Sequence, residues 1–184
     1  MPTTIRPAIS SDIPALIDIS ASVNPWKVAC SLPGAEPDKI AQPIDVTSKT
    51  ALYEKWIAVT EWDEKKSRIF VAEVDGTVLG WMLVAAGCPG YFEVMDVKQI
   101  YVANITVHRA HGGQGIGDAM VSWLKTEAKR LDTEIIRAEC AKGRLERWYN
   151  KNGFLSVPYR GTAAGYPNDV HTMLEMHTNV FKDA

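Results

Sequence analysis

The chain is short of several features, and each shortage excludes something. Its three cysteines, Cys30, Cys88 and Cys140, are odd in number and neither closely paired nor set at metal-ligand spacing. That argues against a disulfide framework and against a zinc site. No apolar run is long enough to span a bilayer, and Met1-Pro2-Thr3-Thr4-Ile5-Arg6 holds no hydrophobic signal region. A cytoplasmic protein without a membrane partner is therefore expected. Long basic runs are missing too, and a formal charge of −2 leaves no footprint for a phosphate backbone. Nucleic acid is not an expected partner. The densest charge cluster, Glu64-Lys65-Lys66-Ser67-Arg68, reads as a polar helix end and loop. With no repeat, no low-complexity tract and no linker, 184 residues at 46% hydrophobic and 23% charged read as one mixed α/β domain over residues 1–184.

The pattern of elements is legible in outline. A short strand over residues 4–6 leads to a helix capped by Asp12 or Ser11, with Ile13, Leu16 and Ile17 on its apolar face. Residues 21–46 are punctuated by Pro25, Pro33-Gly34, Pro37 and Pro43 and predict a loop with one short helical piece. A second helix is expected over residues 50–63, on the spacing of Leu52, Trp56, Ile57 and Val59. Two β-rich runs flank Asp75-Gly76, a pair suited to a hairpin turn that needs positive φ. A strand follows over residues 99–107, then an amphipathic helix opening at Gly115 or Ile116. Its apolar stripe is Ile116, Ala119, Met120, Trp123, Leu124, Ala128 and Leu131. Strands are read at 135–140, where Cys140 reads as a buried thiol, and at 154–157 and 171–176. A short helix around Leu145, Trp148 and Tyr149 stops at Asn152-Gly153.

Between the strand at 99–107 and the long helix lies Gly112-Gly113-Gln114-Gly115-Ile116-Gly117. Glycines permit positive φ and let an anion approach the backbone, and a helix N-terminus gathers N–H groups that suit phosphate. A nucleotide P-loop would need Gly-Lys-Ser/Thr where the chain has Gly117-Asp118-Ala119. A dinucleotide fingerprint starting at Gly113 and Gly115 would place its third glycine on Asp118. Both fail, and anion binding of another kind is left.

With these residues quoted, the sequence resembles the GNAT acyltransferase superfamily. The likeness follows the element order of nearly the whole chain and is specific in residues 107–120 and 144–154. The opening Ile5-Arg6-Pro7-Ala8 and Asp12-Ile13-Pro14-Ala15-Leu16 also looks like many members. It implies a central, mostly antiparallel sheet flanked by helices, with the strand before the turn splaying from residues 135–140. It also implies acetyl-CoA as co-substrate, its pyrophosphate held by Gly112, Gly113, Gln114, Gly115, Ile116, Gly117 and Asp118. Pantetheine would bond main-chain groups of Ile105, Thr106 and Val107, and the Val107 N–H would polarise the thioester carbonyl. Two positions depart from the family pattern. Gly112 stands where a polar side chain is usual, with Arg109 or Gln114 as substitutes, and Lys142 stands where an asparagine often contacts the cofactor.

The same resemblance assigns Tyr149 as the acid that protonates the leaving thiolate, with core packing as its alternative. The strand at 99–107 carries no acid, so the base falls to Glu93 or Asp96 in the loop before it, or to a water ordered by Asn104. His108 and His111 read as surface or capping residues, and His171 and His177 as strand residues without an evident partner. Trp26, Tyr53, Trp56, Trp62, Tyr91 and Phe92 make the segments 21–64 and 87–96 aromatic, which suits a hydrophobic or cationic acceptor as well as a core. The expected activity is N-acetyl transfer to a primary amine on a small molecule. Transfer to a protein amine and a non-catalytic acyl-CoA-binding module are the alternatives, and the C-terminal edge strands offer a homodimer surface.

Overall fold

The computed structural model describes residues 2–32, 35–40, 42, 44–59, 66–85, 87–161, 167 and 169–178. Strand β1 (Thr3–Pro7) is followed by α1 (Ile13–Ala21), α2 (Val23–Ala29) and α3 (Val46–Ile57). The hairpin β2 (Arg68–Val74) and β3 (Thr77–Ala85) leads to β4 (Gln99–Val107), α4 (Ile116–Arg130) and β5 (Ile135–Ala141). Helix α5 (Arg144–Lys151) and strands β6 (Leu155–Val157) and β7 (His171–His177) complete the order. The seven strands form one open sheet in the order β1-β2-β3-β4-β5-β7-β6. β1 and β2, β5 and β7, and β6 and β7 pair antiparallel, while β4 and β5 run parallel. The hairpin turn has positive φ at both Asp75 (49°) and Gly76 (78°), the geometry for which an Asp-Gly pair is suited.

Contacts divide the chain into two units. The first holds β1, α1, α2, α3, β2, most of β3, the end of β4 and the start of α4. Its core gathers Leu16 and Ile19 of α1 with Tyr53 of α3, Ile69 and Val71 of β2, and Trp81 and Leu83 of β3. The Tyr53 ring meets Trp56 at 5.9 Å and Trp81 at 5.7 Å, and its hydroxyl shares a 2.8 Å hydrogen bond with Ser20. Tyr53 is therefore a core residue of this unit, with Trp56 partly buried against it.

Three local expectations are corrected here. Asp12 does not cap α1 by a side-chain hydrogen bond. Its carboxylate is taken by a bidentate pair from Arg6, at 2.7 and 2.9 Å, and by the Ile9 N–H at 2.8 Å. Burial alone would raise this carboxyl, but the Arg6 and Ile9 hydrogen bonds hold it below the ordinary carboxylate value. Second, the 21–46 segment holds two helical pieces and not one: the expected short helix is α2, with Pro25 in its first turn where no intrahelical donor is lost, and a 3-10 turn at Pro37–Lys39 adds another. Third, α3 begins at Val46, not Thr50, since Asp45 accepts the Ser48 N–H at 3.0 Å and caps it there. Residues 60–63 of that expected helix lie outside the described residues, with Pro33, Gly34, Pro43, Glu64 and Lys65.

The second unit holds the end of β3, the loop before β4, the first part of β4, the rest of α4, β5, α5, β6 and β7. β5 pairs with β7 over seven rungs, from Ile135↔His177 to Ala141↔His171. Phe92, Tyr101 and Met173 form its aromatic cluster, with Tyr91, Cys88, Val157 and Tyr159 against it. Among the described residues, no helix is long and apolar enough to cross a membrane, and no group of three acidic, His or Cys side chains could hold a metal ion.

Candidate functional site

The segment from β4 into α4 is built for main-chain recognition. A single 3-10 turn, Arg109–His111, is capped by His108, whose Nδ1 accepts the Ala110 N–H at 3.2 Å. Residues 112–115 are then exposed, and Gly113 and Gly115 adopt φ of 82° and 80°. A side chain at either would be strained in this left-handed conformation, although a Cβ there would meet nothing within 4 Å. The first intrahelical bond of α4 runs from the Ala119 N–H to the Gly115 carbonyl at 2.9 Å. The N–H groups of Ile116, Gly117 and Asp118 precede that bond and stand at the positive end of a 15-residue helix. The open cradle and the helix end fit a phosphate.

Arg109, one of the two substitutes for the absent polar side chain at Gly112, is engaged elsewhere. Its guanidinium lies 4.0 Å from the Trp26 ring centroid, and its N–H donates to Ser22 Oγ at 3.2 Å. This ties the start of α2 to the turn before the glycines. Gln114 is exposed within the turn itself.

Strand β4 changes character along its length. Its parallel pairing with β5 covers residues 99–102 and 135–138. Ile100, Tyr101 and Val102 are buried, whereas Ala103 is exposed and Asn104, Ile105 and Val107 are half-buried. An exposed residue in the middle of a seven-stranded sheet marks a strand whose cover stops. The His108 N–H donates to the Leu79 carbonyl on β3 at 2.8 Å, and a Cβ at Gly80 on β3 would come within 3.1 Å of the Thr106 carbonyl oxygen. Successive main-chain groups alternate in direction along a strand. The N–H groups of Ile105 and Val107 therefore point away from β3. Asn104 accepts a hydrogen bond from the Thr106 hydroxyl on the same strand.

Tyr149 lies on the α5 face against β5 and is buried. Trp148 at 4.7 Å and Phe154 at 5.2 Å meet its ring edge-on. Burial, with Cys140 nearby adding to it, raises the phenol well above its ordinary value, so it carries its proton throughout the physiological range. The Cys140 thiol is itself pushed up to about 12, first by burial, and is chemically quiet. The other proposed groups are dispersed. Asp96 and Lys142 are exposed, the latter held by its main-chain N–H to the Val170 carbonyl at 2.8 Å. Glu93 is paired with Arg160 at 3.1 Å.

Two residues escaped the sequence reading. Gly80 is where the first turn of α4 comes down on the hairpin: an added Cβ would meet Met120 Cε at 3.2 Å and Ile116 Cγ2 at 3.4 Å. Glu139 on β5 accepts the Tyr91 hydroxyl at 2.6 Å, with the Tyr101 hydroxyl at 3.5 Å. A signal for it was present. Arg137 and Glu139 stand two apart in the otherwise apolar run 135–140, so both fall on one face of a strand.

Comparison with known proteins follows this geometry. A family model for the acetyltransferase (GNAT) domain matches residues 65–155. Among solved structures, the PaiA N-acetyltransferase from Thermoplasma acidophilum, in complex with coenzyme A, superposes with a TM-score of 0.69 at 15% identity, over 96% of this chain and 99% of that one. YncA from Salmonella typhimurium, with acetyl-CoA, gives 0.60 at 22% identity over 97% and 95%. A chimera of the spermidine N-acetyltransferase SpeG from Vibrio cholerae and hSSAT gives 0.67 at 13% identity over 99% of each chain. These likenesses establish the fold. No curated protein sequence matches the chain.

Proposed function

On the premise that the chain carries an acetyltransferase domain of the GNAT family, we propose that it moves an acetyl group from acetyl-CoA to a primary amine on a small molecule. The observation that carries this reading is the uncovered second half of β4 running directly into an open glycine cradle at the head of α4.

In this reading the diphosphate sits on the main-chain N–H groups of residues 113–118, and Ile105 and Val107 offer theirs to the pantetheine and the thioester carbonyl. Charge developing on the carbonyl oxygen is then met by a fixed dipole that needs no reorganisation. Placing amine and thioester in contact supplies much of the rate. As the N–C bond forms and the C–S bond breaks, the electron pair leaves on sulfur and Tyr149 supplies its proton, while the proton shed by the nitrogen passes to water, from which Tyr149 is reprotonated. Burial raises the phenol, which keeps it in the proton-donor form but makes it a weaker acid, so its role in this reading rests on its place in the motif. Lys142, exposed, is in this reading a further contact for the cofactor phosphates.

The test has two parts. Calorimetric titration with CoA should give a defined dissociation constant, and thiol release from acetyl-CoA should depend on an added amine. Failure of CoA to bind would overturn the reading. Binding without turnover on any amine or peptide would leave the non-catalytic module in its place.

A further inference from the structure

The glycine cradle cannot hold its shape through side chains. Gly112, Gly113 and Gly115 have none, and glycine gives up the most backbone freedom on ordering. Its geometry is therefore set from the flanks. Downstream, α4 sets it through the Ala119 N–H on the Gly115 carbonyl. Upstream stands the single turn Arg109–His111. It is closed by the His111 N–H on the His108 carbonyl at 2.9 Å and the Gly112 N–H on the Arg109 carbonyl at 3.2 Å. Two hydrogen bonds are little to hold a turn whose nucleation is unfavourable.

The rest of the hold comes from α1 and α2. Ser22 joins the two helices and keeps helical torsions, φ −67° and ψ −15°. Asp18, Ser22 and Trp26 follow one another at intervals of one helical turn, so they share a face across the junction. Asp18 Oδ2 stands 3.5 Å from His108 Nε2. Ser22 Oγ donates to the Ile19 carbonyl at 2.6 Å and accepts the main-chain N–H of Arg109 at 3.2 Å, which fixes its orientation from both ends. The Arg109 guanidinium lies over the Trp26 ring at 4.0 Å. All these groups belong to the first unit. Indole is the best aromatic partner for a cation, and a planar guanidinium stacks on it as an ammonium does not.

We propose that Trp26 and Ser22 are positioning residues for the acetyl-CoA cradle, holding the turn before the glycines through Arg109, whose guanidinium serves the indole and not a phosphate. The proposal rests on the acetyl-transfer reading above. Apparent affinity for the cofactor is the affinity of the formed cradle scaled by the fraction of chains that keep it formed. Losing the stack lowers that fraction and removes no group that touches the diphosphate.

The experiment titrates CoA into the full chain and its variants. W26L should weaken binding about five- to tenfold, and W26F less than about threefold, since a phenyl face still carries the guanidinium. KM for acetyl-CoA should rise in step while kcat changes less than about twofold. Partial misfolding would instead lower the active fraction and leave Kd in place. R109Q should match W26L, and the W26L/R109Q double variant should lose no more than either single one. S22A, the milder change, should cost about threefold and decides if W26L does not fold. Wild-type affinity in W26L or S22A overturns the proposal and leaves the acetyl-transfer reading intact. A further loss of about tenfold when R109Q is added to W26L also overturns it, because Arg109 then reads the phosphate directly. If CoA does not bind the wild type, the acetyl-transfer reading falls by itself and hydrogen exchange of the free chain decides. The His111 and Gly112 amides should then exchange at least about fivefold faster in W26L and S22A than in wild type, with β3 and α4 unchanged. Equal exchange removes the positioning role.

Discussion

The first half of β4 and the second half are made of similar residues and do opposite work. Residues 99–102 are paired with β5, and three of the four, Ile100, Tyr101 and Val102, are buried. From Ala103 onward the strand keeps its extended backbone but loses that pairing and much of its cover, then ends in a turn whose glycines are exposed. The difference teaches that a strand exposes its main-chain groups wherever its neighbour stops, and the proposed recognition draws on those groups. Side chains in the second half, Asn104 and Thr106, bond to each other along the strand.

Substitutions sharpen or break that contrast. The largest effect is expected from Gly115→Asp, which forces a side chain into φ of 80° and brings a negative charge to the cradle. Affinity for CoA should fall by at least about 100-fold in calorimetry, while the melting temperature moves little. Unchanged affinity would end the cradle's role. Val102→Ala acts on the other half, where the side chain is 2% exposed. A loss of about 2–3 kcal/mol in denaturant unfolding is expected, with CoA affinity preserved once the protein is folded. If affinity fell as well, the two halves would not be separable. Tyr149→Phe should slow turnover by about 10- to 100-fold with the affinity for CoA retained. An undiminished rate would return Tyr149 to packing alone.

The smallest effect lies outside the strand and serves as its control. Asp12→Asn removes an ionised partner of Arg6 and should cost about 1–2 kcal/mol at neutral pH without touching CoA affinity. The sign follows from the depressed carboxyl. Its contribution is complete above the ordinary carboxylate range and is lost as pH falls through the lower native value. The stability gap between wild type and variant should therefore close on acidification toward about pH 3, as measured by urea unfolding. A gap that widens instead would contradict the ion pair's role.

Much of the framework was legible because periodicity and turn chemistry are local. Asp75-Gly76, the β4 boundaries and the start of α4 at Ile116 each follow from a few adjacent residues. What escaped depends on contacts distant in sequence. Asp12 looks like a helix cap until Arg6 and Glu73 are brought beside it. Gly80 reads as an ordinary strand glycine until Met120 and Ile116 arrive within 3.4 Å. The glycine turn and the helix it opens were readable as a segment, whereas the surroundings of the aromatic residues were not. Tyr53 proves to be interior, with Trp56 partly buried against it, and Glu139 is bonded to Tyr91, 48 positions away.

The alternating direction of amides at the end of β4 has a kinetic signature. The hydrogen on His108, bound to the Leu79 carbonyl, should resist exchange with deuterated solvent, and those on Ile105 and Val107, aimed away from β3, should trade quickly. Deuterium uptake along this stretch would then rise and fall with a period of two residues. A ligand lying along the strand would level that sawtooth, so that the amides themselves report occupancy without any label or assay.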